Sequence, residues 1–424
     1  MSQSAPARPA LLRSLNDRTV LEHLVVHGAA SRADLAEHTG LSKPTIAEVL
    51  GRLERAELIV DAGETVGRRG PNGRLHAAAL DRHRAAALSV EPGRVVCQVV
   101  DARGTVLGRA ERTRKDLPRG AAAVTRALVE DAARDAGIDA AGVDEVVVSL
   151  PGSYDPATDR VRYADRIPDW TVPGLAAAIA AGLPDGTTVT IDNDVNLALV
   201  AEREHGTAGE SGVASLLWLG AGIGLATDLG GTLYRGVSGG AGEVGYIPVP
   251  APDGRRAATR TDFQDVAGGA AVLALARELG VPGRTPAAAV ERAAETAAAD
   301  ETSSRLLDEL AARIALGLAV IVAVLDPGVV VLGGAVGRAG GKALAARTAH
   351  AFRAVSPLRC RIVASAVEGD PSLAGARAVA GERARDRLLD ESNLGAPAPA
   401  HDVRATARTR QTDVPHARTA EEGH

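Results

Sequence analysis

The chain has few aromatic residues and almost no cysteine. Aromatic side chains make up 2% of its 424 residues, which argues against a surface of stacked rings for single-stranded nucleic acid. The only cysteines are Cys97 and Cys360, too few for a disulfide scaffold or a cysteine-rich zinc site. The net charge of −5 excludes a uniformly basic coat.

Long apolar runs are also missing. The longest, Ile314 to Leu325, is shorter than the roughly 20 residues of a membrane-spanning helix, so we predict a buried helix there. The N-terminal residues lack the apolar stretch of a secretory signal. We therefore expect a cytoplasmic protein that makes no contact with a membrane.

The composition suits a globular protein of several domains. Apolar residues make up 46% and charged residues 24%, with a core built mainly from Ala, Val and Leu. From the changes in pattern we predict a flexible arm over 1–15, a helical and hairpin module over 16–78, a larger body over 86–388 and a disordered tail over 391–424. In the body, short Val-rich runs alternate with Ala-rich helical stretches, which predicts an α/β architecture.

The front module has the pattern of a winged helix-turn-helix. A first helix is expected from Asp17 to His27. A second begins at Ser31, an N-cap with Asp34 three residues later, and ends before Gly40. A third begins at Ser42 with Pro44 in its first turn.

In such a module the second helix of the pair places its N-terminal residues in the DNA major groove. Two short strands around Gly67 to Gly70 would form a wing whose arginines reach phosphates or the minor groove. We predict contacts with double-stranded DNA from Ser31, Arg32, Ser42, Lys43, Pro44, Thr45, Glu48, Arg52, Arg68, Arg69 and Arg74. The alternative is a helical hairpin used only for packing or dimerisation.

The segment SRADLAEHTGLSKPTIAEVLGRLERAELIV, followed by GRRG, closely resembles the N-terminal domain of repressors in the ROK family (repressors, open reading frames and kinases). In the body, the segments DEVVVSLPG, TVTIDNDVNLA, LGAGIGLATDLGG with AGEVGY, and LDPGVVVLGG resemble that family's motifs in the same order. The resemblance implies a two-lobed fold of the actin and hexokinase type. Within the family, the chain is similar to xylose- and N-acetylglucosamine-responsive repressors.

The phosphate loops depart from those of the family's kinases. The first loop reads Asp-x-Gly-Gly-Thr in the kinases, where the glycines let backbone amides approach phosphate; here Ser89 to Gly93 occupies that place, with Glu91 and Pro92 inside it. In the second loop Ala221 replaces Thr and Leu225 replaces Gly. We therefore expect no ATP cofactor and no kinase activity.

The sugar site is expected to be altered. Asp194 matches the kinases' catalytic base but is predicted to be non-catalytic, accepting a hydrogen bond from a sugar hydroxyl. The resemblance also assigns effector contacts to Asn193, Glu243, Tyr246 and Gln264, although Asn193 has the alternative role of a turn cap. The family's zinc-binding His and Cys cluster has no counterpart, since Tyr246 stands at the His position and the next loop has neither Cys nor His. We expect no bound metal.

These features predict a regulator of carbohydrate metabolism that binds operator DNA as a homodimer and responds to a sugar or sugar derivative. Two alternatives remain open from sequence. One is an active sugar kinase with an accessory DNA-binding head, favoured by Asp194. The other is a DNA-binding protein without a ligand, whose body only dimerises.

Overall fold

The computed structural model describes residues 7–64, 73–209, 211–250 and 261–392. The N-terminal module contains three helices and a small sheet with the strand order β1-β3-β2. Its elements are α1 (Ala7–His27), β1 (Ala30–Ser31), α2 (Arg32–Thr39), α3 (Lys43–Arg55), β2 (Ile59–Glu64) and β3 (Arg74–Ala78).

Local capping explains where the helices of this module begin and end. Ser31 and Asp34 form a reciprocal capping box at the start of α2, and Gly40 ends the helix with φ of 70°, a left-handed conformation that favours glycine. Apolar side chains of α1 and α3 meet in a core that contains Val20, Leu21, Leu24, Ile46, Val49, Leu50 and Leu53. The helices and the paired wing strands predicted from sequence are present.

The predicted flexible arm over 1–15 is wrong for its described part, because α1 already begins at Ala7. Ala10, Leu11 and Leu12 are good helix formers, and Pro9 is tolerated in a first helical turn. The sequence argument missed this extension since Leu11, Leu12 and Leu15 remain 50–60% exposed, so they add nothing to the buried face.

The body consists of two lobes, each built on a five-stranded sheet. The first sheet has the strand order β10-β7-β4-β5-β6. The first lobe contains β4 (Ala85–Glu91), β5 (Arg94–Val100), β6 (Val106–Thr113), α4 (Ala121–Asp135), β7 (Glu145–Leu150), β8 (Ser153–Asp155), β9 (Arg160–Arg162), α5 (Leu175–Ala181), β10 (Thr188–Asn193) and α6 (Asp194–His205).

The second sheet has the strand order β13-β12-β11-β14-β15. This part of the chain contains β11 (Val213–Leu219), β12 (Ile223–Leu229), β13 (Thr232–Leu233), α7 (Phe263–Ala267), α8 (Gly269–Glu278), α9 (Pro286–Thr296), α10 (Glu301–Leu325), β14 (Val329–Gly333), α11 (Gly334–Val355), β15 (Arg361–Ala364) and α12 (Pro371–Glu391). The apolar run 314–325 lies within α10, and no helix of the described residues is long and apolar enough to cross a membrane.

The last helix, α12, returns to the first lobe. It packs along α6 and across β4 and β7. Its buried positions Leu373, Ala376, Ala380, Ala384 and Leu388 recur every three or four residues and belong to the same apolar core as α1 and α3. The N-terminal module and the first lobe therefore share one core through α12.

Candidate DNA interface and interlobe site

The start of α3 is built as an exposed helix N-terminus. Ser42 is its N-cap, and the amide of Thr45 donates to Ser42 Oγ at 3.3 Å. Lys43 and Pro44 are exposed, while the opposite face of α3 is fully buried. Free amides and the helix dipole make such an end favourable for a phosphate or a base edge.

Two cations on the helices α2 and α3 are available to a ligand. Arg32, the first residue of α2, and Lys43 are exposed, and neither forms an ion pair within the described parts of the chain. Glu48 lies one turn along α3 and is 75% exposed in its side chain. Thr45 is half-buried, and its hydroxyl lies 2.8 Å from Ser42 Oγ.

Two residues of the expected DNA-contacting set are engaged in structural contacts instead. Arg52 Nη2 donates to Asp17 Oδ1 at 2.6 Å and Arg52 Nε to Asp17 Oδ2 at 2.9 Å, which clamps α3 to α1. Ser31 is buried, and its hydroxyl donates to Asp34 Oδ2 at 2.8 Å. We therefore leave Arg52 and Ser31 out of the proposed interface.

The wing is formed by β2 and β3, which pair in antiparallel fashion with a bulge between Asp61 and Glu64. Arg74 lies on β3, where its Nε donates to Asp61 Oδ2 at 2.8 Å. Its Nη1 also lies 3.3 Å from Glu54 Oε1. Arg68 and Arg69 lie outside the described residues, so their contacts stay a prediction.

Asp194 lies where the first lobe's parallel strands end. β10 pairs with β7 and β7 with β4, all parallel, and Asp194 follows β10 as the first residue of α6. Its Oδ1 accepts the amide of Val195 at 2.9 Å. Ligands of open α/β sheets bind at this carboxyl edge.

Two further carboxylates face Asp194 from other elements. Asp370 is the N-cap of α12, and Glu243 precedes the short 3-10 turn Val244–Tyr246. Burial raises the pKa of Asp194 to about 7, and the negative charges of Asp370 and Glu243 add to the rise. Burial also raises the pKa of Glu243. The three acids can accept or, when protonated, donate hydrogen bonds to hydroxyl groups.

Asn193 acts as the helix cap that the sequence offered as its alternative role. Its Oδ1 accepts the amides of Val195 at 2.8 Å and Asn196 at 3.2 Å. Its Nδ2 donates to the Gly152 carbonyl at 2.8 Å. A groove of about 330 Å³ opens beside it, lined in part by Asp192, which Arg235 binds at 2.7 Å.

Tyr246 meets a second tyrosine across the lobes. Its ring centroid lies 5.8 Å from that of Tyr163, an ordinary distance for an aromatic pair. Tyr163 has φ of 60°, a conformation that is costly for a bulky side chain and is often found at ligand sites. Both rings are more than half exposed, so they form part of the rim between the lobes.

Gln264, which the resemblance assigned to effector contact, has both ends of its side-chain amide hydrogen-bonded to a neighbouring turn. Its Oε1 accepts the amide of Ile223 at 2.8 Å, and its Nε2 donates to the Ala221 carbonyl at 3.0 Å. The side chain thus fills the β11–β12 turn, Gly220 to Gly222, which is the counterpart of the second phosphate loop. The loose sequence match of this region hid that role.

The counterpart of the first phosphate loop is a tight hairpin. Ser89 is paired on both sides, with Val96 of β5 and Ser149 of β7. Only Pro92 and Gly93 form the turn, with Glu91 opposite Arg94. Proline has no amide to donate, and Arg94 Nη1 lies 3.3 Å from Glu91 Oε2.

Sequence analysis missed Asp370 and Tyr163 as residues of this region. Asp370 carries a recognisable signal, an Asp directly before Pro at a helix start, but this signal indicates a cap and says nothing about Asp194. Tyr163 carries no signal in a single sequence, because its backbone angle follows from the fold. Among the described residues, no group of three or more His, Cys, Asp or Glu could hold a metal ion.

The two modules each match a known family. Residues 13–60 match the winged helix-turn-helix DNA-binding family and residues 88–383 match the ROK family. Among curated relatives, the putative xylose repressor of Caldicellulosiruptor sp. (strain Rt8B.4) is 23% identical over 253 residues, covering 57% of this chain and 60% of that protein. The glucokinase of Thermotoga maritima is 27% identical over 210 residues, covering 46% of this chain and 65% of that protein.

Solved structures with a similar fold are also known. A ROK family transcriptional regulator, a homologue of the Escherichia coli MLC protein, superposes with a TM-score of 0.65 at 20% identity, covering 91% of this chain and all of that one. The ROK hexokinase from Thermus thermophilus superposes with a TM-score of 0.55 at 24% identity over 72% of this chain and 99% of that one. Because the family model covers well over half of the residues, the chain belongs to the ROK family.

Proposed function

We propose that this protein is a transcriptional regulator that binds double-stranded operator DNA and controls genes of carbohydrate metabolism from the cytoplasm. The observation that carries the proposal is the start of α3, where Ser42, Lys43, Pro44 and Thr45 combine a capped helix N-terminus with an unpaired cation. Relatives named xylose repressors support it. We also keep Arg32, Glu48, Arg68, Arg69 and Arg74 as predicted DNA contacts.

The protein acts as a homodimer in this proposal. Two copies of α3 would occupy successive major grooves of a palindromic site, about 34–36 Å apart. The effector is a sugar or sugar derivative held by Asp194 and Glu243, with Asp370 as a third acid and Tyr246 at the rim. Asn193 supports the site by holding the start of α6.

The route from the effector site to the DNA-binding module is α12. Its first turn touches Asp194, because Ser372 Oγ donates to the Asp194 carbonyl at 3.0 Å. Its last turn touches α1, where Arg18 Nη1 lies 3.3 Å from Asp390 Oδ1. A ligand that moves the start of α12 would therefore move the surface on which α1 rests, provided that it binds the two positions with different affinity.

Selection of bound duplexes from a random DNA pool, followed by footprinting, tests DNA binding. We expect one palindromic sequence to emerge, and Lys43→Ala to weaken binding to it. The matched control is Arg292→Ala, an exposed arginine of α9 in the other lobe, which should bind like the wild type. Failure to enrich any sequence would contradict the proposal.

The second candidate function is an active sugar kinase, favoured by the retained Asp194. Against it, the Gln264 amide is hydrogen-bonded inside the second phosphate loop, and the first loop carries the carboxylate of Glu91 and Pro92, which has no amide to donate. Phosphoryl transfer depends mainly on holding the nucleotide. We propose that kinase activity has been lost. A coupled assay of ADP release with common hexoses should give no turnover, and sugar-dependent turnover would establish the kinase.

A further inference from the structure

A polar cleft lies in the first lobe at the C-terminal end of α6, away from Asp194, and one arginine of its lining also contacts the DNA-binding module. It has a volume of about 320 Å³ and is walled by the β5–β6 turn, the C-terminal end of α6 and the middle of α12. Its charged lining consists of Arg103, Glu204, His205, Arg377, Glu382 and Arg385. We call it the junction cleft. The volume is at the small end of the range for sites of small organic ligands.

The helix α12 brings two arginines to this cleft. Arg377 and Arg385 lie two turns apart, and Gly381 sits between them where a Cβ would come within 2.7 Å of Gly104 Cα. The glycine lets the helix approach the β5–β6 turn, so both long side chains share one hollow. Both are half-buried, and neither forms an ion pair within the residues that the structure describes.

Half-buried guanidinium groups without a carboxylate partner favour the binding of an oxyanion. Arginine presents a planar fork of donors that fits phosphate through two parallel hydrogen bonds. Glu204 and Glu382 lie on the same lining and are exposed. With three arginines and two glutamates, the lining carries a small net positive charge. This charge suits a ligand with one phosphate better than a long polyanion. As acceptors, the two glutamates suit hydroxyl groups.

The third arginine connects the cleft to the DNA-binding module. Arg103 Nε and Nη2 donate to the Val25 carbonyl at 3.1 and 2.9 Å, near the C-terminal end of α1. Gly28, which follows α1 with φ of 88°, lies against the same guanidinium group. A ligand held by Arg103, Arg377 and Arg385 would therefore connect α12 to the arginine that contacts the C-terminal end of α1.

We propose that the junction cleft binds a small phosphorylated polyol, with the arginines on the phosphate and the two glutamates on hydroxyl groups. This site is separate from the interlobe effector site and does not depend on the identity of that effector.

Calorimetric titration of the full chain with glucose 6-phosphate, inorganic phosphate and glucose tests the proposal. Glucose 6-phosphate should bind, inorganic phosphate should bind more weakly, and glucose should not compete with glucose 6-phosphate. Arg377→Gln and Arg385→Gln should each weaken binding about tenfold or more, as expected for a lost charge-assisted hydrogen bond. Arg292→Gln, far from the cleft, should bind like the wild type.

Melting temperatures without ligand check that each variant is folded, which we expect because neither arginine has a partner to lose. Absence of binding at millimolar glucose 6-phosphate would overturn the proposal, as would wild-type affinity in both cleft variants. Equal affinity for inorganic phosphate and glucose 6-phosphate would overturn the assignment of a polyol. Loss of binding in Asp194→Asn, with binding kept in Arg377→Gln, would assign the ligand to the interlobe site instead.

Discussion

At the scale of single residues, the same chemical type serves different roles according to its partners. Lys43 lies at the start of α3 and Arg52 near its end, and of the two only Lys43 lacks an ion-pair partner among the described residues. Arg52 forms a two-pronged contact with Asp17, which is 2% exposed. Lys43 is therefore placed for ligand binding, and Arg52 for holding α1 and α3 together.

We expect Arg52→Ala to destabilise the N-terminal module by about 3–5 kcal/mol, because it leaves the buried carboxylate of Asp17 without its partner. Lys43→Ala should change the free energy of unfolding by less than about 0.5 kcal/mol, as for other exposed sites. Chemical denaturation followed by circular dichroism measures both. Equal stability of the two variants would show that the ion pair is not structural.

The raised pKa of Asp194 predicts how stability depends on pH. In the unfolded chain this carboxyl group ionises near pH 3.8, whereas in the folded protein its pKa is about 7. Between these values the folded state holds the extra proton, so the free energy of unfolding falls as pH rises through this window. Below it, the stabilising contribution is fully present.

Asp194→Asn should remove that part of the pH dependence and make the protein more stable than the wild type above pH 7. Melting temperatures of both proteins between pH 4 and 8 test this, with Asp169→Asn, at an exposed position, as the matched control. A wild-type curve parallel to that of Asp194→Asn would mean that the carboxyl group is ionised throughout.

At the scale of elements, α12 is the structural link between the two ends of the molecule. Its N-cap Asp370 accepts the amides of Ser372 and Leu373 beside Asp194. Near this end, Gly375 faces α6 so closely that a Cβ would come within 1.7 Å of the Leu197 carbonyl oxygen. The start of α12 can therefore shift only together with α6, which carries Asp194.

Gly375→Ala should push α12 away from α6. We expect this variant to lower the free energy of unfolding by about 1–3 kcal/mol or more. Arg383→Ala, at an exposed position of the same helix, should stay within about 0.5 kcal/mol of the wild type. Urea denaturation compares the two. Wild-type stability in Gly375→Ala would show that this contact is loose.

Elements set by neighbouring residues are the ones that the sequence predicts well. Ser31 with Asp34, Gly40 and Ser42 with Pro44 mark the ends of α2 and α3 directly, and both helices form as expected. The segment TVTIDNDVNLA, which carries part of the family resemblance, spans β10 and the start of α6, so Asp194 is the first residue of that helix.

The contacts that the sequence did not predict join distant parts of the chain. Arg52 is engaged by Asp17 and Gln264 by Ile223, and no local pattern contains either pairing. The placement of Asp370 beside Asp194 likewise requires α12 to return to the first lobe. A single sequence shows which side chains are present, but not which of them already have hydrogen-bond or ion-pair partners in the fold.

At the scale of the whole molecule, the DNA-binding module and the body are packed as one unit. One apolar core contains Leu24 of α1, Leu50 of α3 and Leu388 of α12. Polar contacts between α1 and the body add to it: Arg103 Nη2 donates to the Val25 carbonyl at 2.9 Å, and Arg18 Nη1 lies 3.3 Å from Asp390 Oδ1. The DNA-binding module is therefore held to the body by apolar packing and polar contacts as well as by the connecting chain.

We expect differential scanning calorimetry to show the module unfolding together with the first lobe, without a separate early transition. If the roughly 60 residues of the module unfolded alone, they would give a first transition of about 40 kcal/mol. Such a transition would contradict the shared core.

In the proposed mechanism, the interlobe site and the start of α3 are coupled through the body. Its most direct test is the affinity of the full chain for its selected operator, measured by fluorescence anisotropy with and without a sugar that raises the melting temperature. We predict a change of about 5- to 150-fold in the wild type, the usual range for coupled sites, and no change with the same sugar in Asp194→Asn. An operator affinity that is identical with and without the bound sugar in the wild type would contradict the account.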